Sequence, residues 1–145
     1  MSQARVRKLF YNALLEYTDT TGIAVYLDNI REFDQNGSAI EPPPSGNYLH
    51  AHLIPADTYD DSLSGDHKVF IGMFQVTIVT EYGRGSKIAE DIADEIQQVF
   101  SLNRRFIDSS GFTVQVISPI KVPEGRQQGV QWRLPVYFDY RADTN

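Results

Sequence analysis

The chain of 145 residues contains no cysteine. That absence removes disulfides, thiol nucleophiles, cysteine-ligated zinc and iron–sulfur clusters together. No apolar run opens the chain, and no stretch is long and apolar enough for a membrane-spanning helix. The expectation is a protein that stays in the cytosol of the cell that makes it. Basic residues are in deficit: 13 Lys and Arg stand against 19 Asp and Glu, for a net charge of −6. Duplex binding depends on neutralising phosphates with a basic surface, so specific nucleic-acid binding is not expected.

What remains is globular in character. Hydrophobic residues make up 41% and charged residues 22%, which argues against a disordered or fibrous chain. The length predicts a single domain, residues 1–145, burying roughly two-thirds of its unfolded surface.

Residues 3–19 carry a helical period. Val6, Leu9, Phe10, Ala13, Leu14 and Tyr17 fall on one face, and Arg5, Lys8, Asn12 and Glu16 on the other. Gly22 reads as a stop signal, with the helix ending two or three residues before it. Tyr11 and Leu15 project off the core face and read as exposed. Residues 23–27 read as a short strand. Residues 34–46, with Asn36-Gly37 and Pro42 to Pro44, read as a long loop.

Residues 47–54 alternate, with Leu49, Ala51 and Leu53 on one face and Tyr48, His50, His52 and Ile54 on the other. A second loop spans 55–67. Residues 69–82 form the longest strand candidate; Phe70, Phe74, Val76, Ile78 and Tyr82 line one face, and Gln75, Thr77 and Glu81 the other. Gly83-Arg84-Gly85-Ser86 breaks it and opens a second helix, with Ser86 as N-cap. Its apolar arc is Ile88, Ala89, Ile92, Ala93, Ile96, Val99 and Phe100. A strand at 112–118, a hairpin connection at 119–129 and a last alternating strand at 130–141 follow. Trp132, Leu134, Val136, Phe138 and Tyr140 share that strand's core face, while Pro135 points to an edge or a bulge.

The predicted order is α-β-β-β-α-β-β. It implies an α+β two-layer sandwich: a mixed or antiparallel sheet of about five strands with both helices on one face. Trp132 and Phe74 are expected in the core.

No constellation of residues makes a convincing catalytic site. His50 and His52 share a strand face and could bind zinc or copper with a third ligand, His67 or Asp57, but nothing fixes either nearby. They read as polar residues on the sheet face away from the helices. The Gly83–Ser86 turn before a helix could hold phosphate, yet it lacks the Walker lysine and does not extend to G-x-G-x-x-G. Glu90, Asp91, Asp94 and Glu95 crowd the outer side of the second helix as i,i+4 like-charge pairs, each costing a few tenths of a kcal/mol. They read either as a solubility face or as a docking face for a basic surface on a neighbouring copy. Arg84, Arg104, Arg105 and Arg126 are the candidates for that surface. No G-x-S-x-G elbow occurs. No catalytic residue, metal or cofactor is expected.

Four stretches, taken in order, resemble the tail terminator (tail-completion) proteins of long-tailed bacteriophages. They are Leu53 to Thr58 (LIPADT), Phe70 to Phe100, Val116 to Pro119 (VISP) and Trp132 to Asp143 (WRLPVYFDYRAD). The shared features are a strand ending in a proline-led loop, then a long strand with Gly72, Gln75 and Val76. A glycine-rich turn, an amphipathic helix and a terminal hairpin with an aromatic last strand follow. The resemblance covers nearly the whole chain and is loosest at 34–46. It implies a structural protein of the virion tail, assembled in the host cytoplasm. Six copies would form a ring on the completed tail tube, halting its polymerisation and offering the head-joining surface. The implied partners are further copies of the chain, the tube protein and a head–tail connector protein, with no membrane. DNA would pass through the ring, and acidic walls would keep phosphates from sticking. Two alternatives stay open: another ring-forming tail component, such as a tube or connector subunit, and a small metal-dependent enzyme using His50 and His52.

Overall fold

The computed structural model describes residues 2–27, 32–33, 39–40, 47–56, 59–60, 68–83, 86–129 and 131–143. Helix α1 spans Ser2–Thr21 and α2 spans Lys87–Val99. The strands are β1 (Ala24–Leu27), β2 (Glu32–Phe33), β3 (Ala39–Ile40), β4 (Tyr48–Pro55), β5 (Tyr59–Asp60) and β6 (Lys68–Glu81). After α2 come β7 (Arg105–Ile107), β8 (Thr113–Val116), β9 (Arg126–Gln128) and β10 (Gln131–Asp143).

The main sheet has the order β1-β4-β6-β10-β8-β7, with β5 added to β6 and β9 added to β10. It is mixed, since β1 runs parallel to β4 while the other pairs are antiparallel. The expected five strands are therefore too few. Short ladders sit where the sequence reads as loop or carries no alternation: β2 with β3, β5 on β6, β7 on β8, and β9 on β10. A strand of two or three residues is too short to show a period of two. Asn36-Gly37 and Pro42 to Pro44 lie outside the described residues.

Both helices pack on one face of this sheet. Register places Leu53, Phe74 and Phe138 in one row, Ala51, Val76 and Val136 in the next, and Leu49, Ile78 and Leu134 beyond. All belong to one buried cluster with Val6, Phe10 and Leu14 of α1 and Ala89, Ile92, Ala93 and Ile96 of α2. Phe10 occupies the centre, with ring centroids 5.1 Å from Phe74, 5.7 Å from Phe100, 5.5 Å from Phe106, 5.3 Å from Phe138 and 5.6 Å from Tyr140.

Helix α1 runs two residues further than expected, up to Gly22 (φ 78°), whose N–H bonds the Thr18 carbonyl at 2.8 Å. Thr20 and Thr21 hold that last turn by donating their hydroxyls back to the Glu16 and Tyr17 carbonyls. Tyr11 is buried, not exposed, because its ring packs 5.9 Å from Phe74; Leu15 is exposed as expected. Phe74 is fully buried, whereas Trp132 is only partly buried at the rim of the core. Its indole rests on Gly125, where a Cβ would come within 2.6 Å of the ring.

Gly72 leaves room for a side chain from the neighbouring strand of the same sheet. The Tyr140 ring lies across β6 at this point, and its hydroxyl donates to Gln3 Oε1 of α1 at 2.5 Å. Gln3 Nε2 in turn donates to the Ile71 carbonyl at 3.3 Å. Burial pushes the Tyr140 phenol up to about 12, so it remains a donor at neutral pH.

Candidate interaction surfaces

Helix α2 buries Ala89, Ile92, Ala93 and Ile96 against the sheet, packs Val99 partly against the core and turns the rest of its side chains outward. Ser86 does not cap it with its side chain, contrary to expectation. Its backbone is helical (φ −91°, ψ −9°), and its carbonyl accepts the Glu90 N–H at 3.0 Å. Glu90, Asp91, Asp94 and Glu95 are all exposed, but they are not equivalent. Asp91 pairs with Lys87 at 2.7 Å within the helix. Glu95 leans toward α1 and accepts the Tyr17 hydroxyl at 2.5 Å. Burial, followed by the hydrogen bond and charge of Glu95, raises the Tyr17 phenol, which keeps this link protonated. Glu90 and Asp94 make no ion pair among the described residues.

The candidate cations do not form one patch. Arg104 is engaged within its own copy: Nη1 donates to the Val99 carbonyl at the end of α2, and the guanidinium stacks 4.6 Å over Phe106. Arg105 is exposed on β7, at the sheet edge, in register with Gln115 and Arg141. Arg126 is exposed on β9, opposite Arg133. Positions 133 and 141 of β10 are roughly 27 Å apart at the rise of an extended strand, which separates Arg126 from Arg105 by a similar distance. Arg84 lies outside the described residues.

The face away from the helices carries His50 and His52, with ring centroids 4.1 Å apart. His52, Gln75, Thr77, Arg126 and Arg133 line a groove of about 610 Å³ beneath the β9 arm. Thr77 is buried on this face instead of standing in solvent. His67 and Asp57 lie outside the described residues, and no group of three metal-ligating side chains occurs among those described. His50→Ala with His52→Ala should leave the urea midpoint and tail assembly unchanged. One-to-one zinc uptake by the parent, measured calorimetrically and lost in the double variant, would contradict this.

Two apolar features escaped the sequence pattern. Tyr82 and Ile88, read as core, are 52% and 40% exposed. The β6 strand ends at Glu81, and Gly83 (φ 91°) turns the chain away from the sheet, carrying Tyr82 out of the inner face. Tyr82, Gly83, Ser86 and Trp132 line a depression of about 370 Å³ near the start of α2. Ile107 on β7 is 63% exposed, the most exposed of the large apolar residues described. Ile88 sits at the N-terminal end of an otherwise buried arc, and Ile107 follows Arg104-Arg105-Phe106; neither position shows a period that tells surface from core.

Comparison with known proteins bears on what such surfaces serve. The family described as phage tail terminator protein matches residues 5–140. The chain belongs to the phage tail terminator family. This is a family of structural tail proteins, so the chain is a component of the virion tail and not a member of a catalytic family. Thirteen solved chains also match. One is 29% identical with a TM-score of 0.76, covering 100% of this chain and 98% of its own. No curated protein sequence matches. Among the described residues, no helix of this terminator is long and apolar enough to cross a membrane.

Proposed function

We propose that the chain closes the completed tail tube as a ring of identical copies, six by family resemblance. The ring stops tube polymerisation and presents the surface to which the DNA-filled head is joined. It assembles in the host cytoplasm, with the tube protein on one side and the head–tail connector protein on the other. The family match carries the reading, and the surface chemistry supports it. A closed ring needs two different patches per copy, each meeting the other patch on the next copy. The chain has an acidic ridge on α2 (Glu90, Asp91, Asp94 and Glu95) and separate cations elsewhere, with Arg105 and Arg126 turned outward. Arg84 and Arg104 complete the candidate set. The net charge of −6 suits a ring through which DNA passes without sticking.

Charge reversal tests the role of α2. Glu90→Lys with Asp94→Lys should leave the urea midpoint near that of the parent, since both side chains are exposed and one i,i+4 like-charge pair takes the place of another. The folded double variant should fail to cap, giving overlong tails that do not join heads. Normal capping by the folded variant would remove the acidic ridge from the interface.

A further inference from the structure

We propose that the contact between neighbouring copies is a knob-in-pocket joint. In it, Ile107 and Arg105 on the β7 edge of one copy dock against the Tyr82–Trp132 depression and acidic α2 rim of the next. This rests on the ring reading and names the surfaces that build it. The receiving side has the anatomy of an interface centre: a tyrosine and a partly buried tryptophan around a depression of about 370 Å³, with exposed Ile88 close in sequence. Aromatic residues in such pockets tend to dominate binding energy, while charged residues sit at the rim. The exposed side of α2, which begins at the depression, carries carboxylates. Asp91 lies one turn beyond Ile88, at a spacing of roughly 5–6 Å between side-chain bases, and is paired with Lys87, which leaves Glu90 and Asp94 beside it to meet a cation.

The inserting side is complementary in both respects. Arg105 and Ile107 alternate on the same face of β7, both exposed, roughly 7 Å apart along the strand. An apolar knob thus stands beside a cation, to meet an apolar depression beside a helix that carries carboxylates. Among the described residues β7 pairs only with β8, so its other edge is open to a neighbour. Edge strands usually carry charge to block pairing, and Arg105 does that against any partner lacking a matching anion. Knob and pocket occupy different parts of one copy, so the contact is heterologous and propagates from copy to copy until rotation closes it.

The cysteine-free chain allows a direct test. Ser86→Cys at the edge of the depression and Ser109→Cys beside the knob, both at exposed positions, are introduced singly and together, assembled on tails and treated with a short bismaleimide. The double variant should lose most of its monomer band to a ladder of linked copies, and neither single variant should link to itself. Self-linking by a single variant would mean a symmetric contact and would overturn the proposal. So would linking to the tube protein, or tails of normal length with no ladder; in that last case the ring reading stands and only the joint fails. Ile107→Asp gives an independent check. It should keep the parent's urea midpoint yet lose capping, and normal capping would contradict the proposal.

Discussion

Phe10→Ala should lower the free energy of unfolding by about 3–5 kcal/mol, the range for deleting a large aromatic side chain from a core. Phe10 is fully buried and touches five other rings, contributed by β6, β10, β7 and the end of α2. Four of the five contacts are edge-to-face, the arrangement that adds roughly 0.5–1.5 kcal/mol per pair beyond simple burial. An alanine there leaves a void bounded by side chains that already pack on one another, such as Phe100 on Phe138 at 5.0 Å. The site therefore collapses poorly. A domain of this kind holds only about 5–15 kcal/mol in all, so the variant should sit near the edge of folding. Phe74→Ala should fall in the same range, and Trp132→Ala well below it, because the indole is partly exposed at the rim. Urea midpoints for the three variants check the ranking. An unmoved midpoint for Phe10→Ala would contradict the core described above.

Gly72→Val should cost about 3 kcal/mol, the upper end for forcing atoms into a packed interior. The first added carbon already lies 2.6 Å from the Ile54 carbonyl oxygen and collides with the Tyr140 ring and hydroxyl. Tyr140 could swing aside only by giving up Gln3 and its place over β6. The Ile54 carbonyl belongs to the neighbouring strand and cannot move without opening the β4–β6 ladder. Combining Gly72→Val with Tyr140→Phe should recover only part of the loss, since the clashes with the Ile54 carbonyl and the ring carbon stay. Full recovery in thermal or urea denaturation would place the strain on the hydroxyl alone.

The parts legible in the sequence are those with sustained periodicity. Val6, Phe10 and Leu14 announced α1, and the alternations through β4, β6 and β10 placed Leu53, Phe74 and Phe138 on a common face before any register was known. Tyr11 was misread because it lies one helical step off the main stripe, and only the position of Phe74 shows that the core wraps around to it. The short strands β5, β7 and β9 were invisible, since pairing with a longer partner, not their own pattern, makes them strands. Gly72 was visible as a glycine within a strand, a hint of close approach, but Tyr140 as the approaching group came only with the register. The acidic ridge was legible as charge spacing on a helix. Its apolar neighbour, Tyr82 with Trp132, was not, because both residues fit a core alternation and only the turn at Gly83 separates surface from interior.

The central claim is that this protein sets where a tail ends. The most direct measurement is the length distribution, by negative-stain electron microscopy, of tails assembled with and without it. The account predicts one sharp length with the protein present. Without it, tubes should be overlong, variable and unattached to heads. Tails of normal, uniform length that still join heads in its absence would contradict the account.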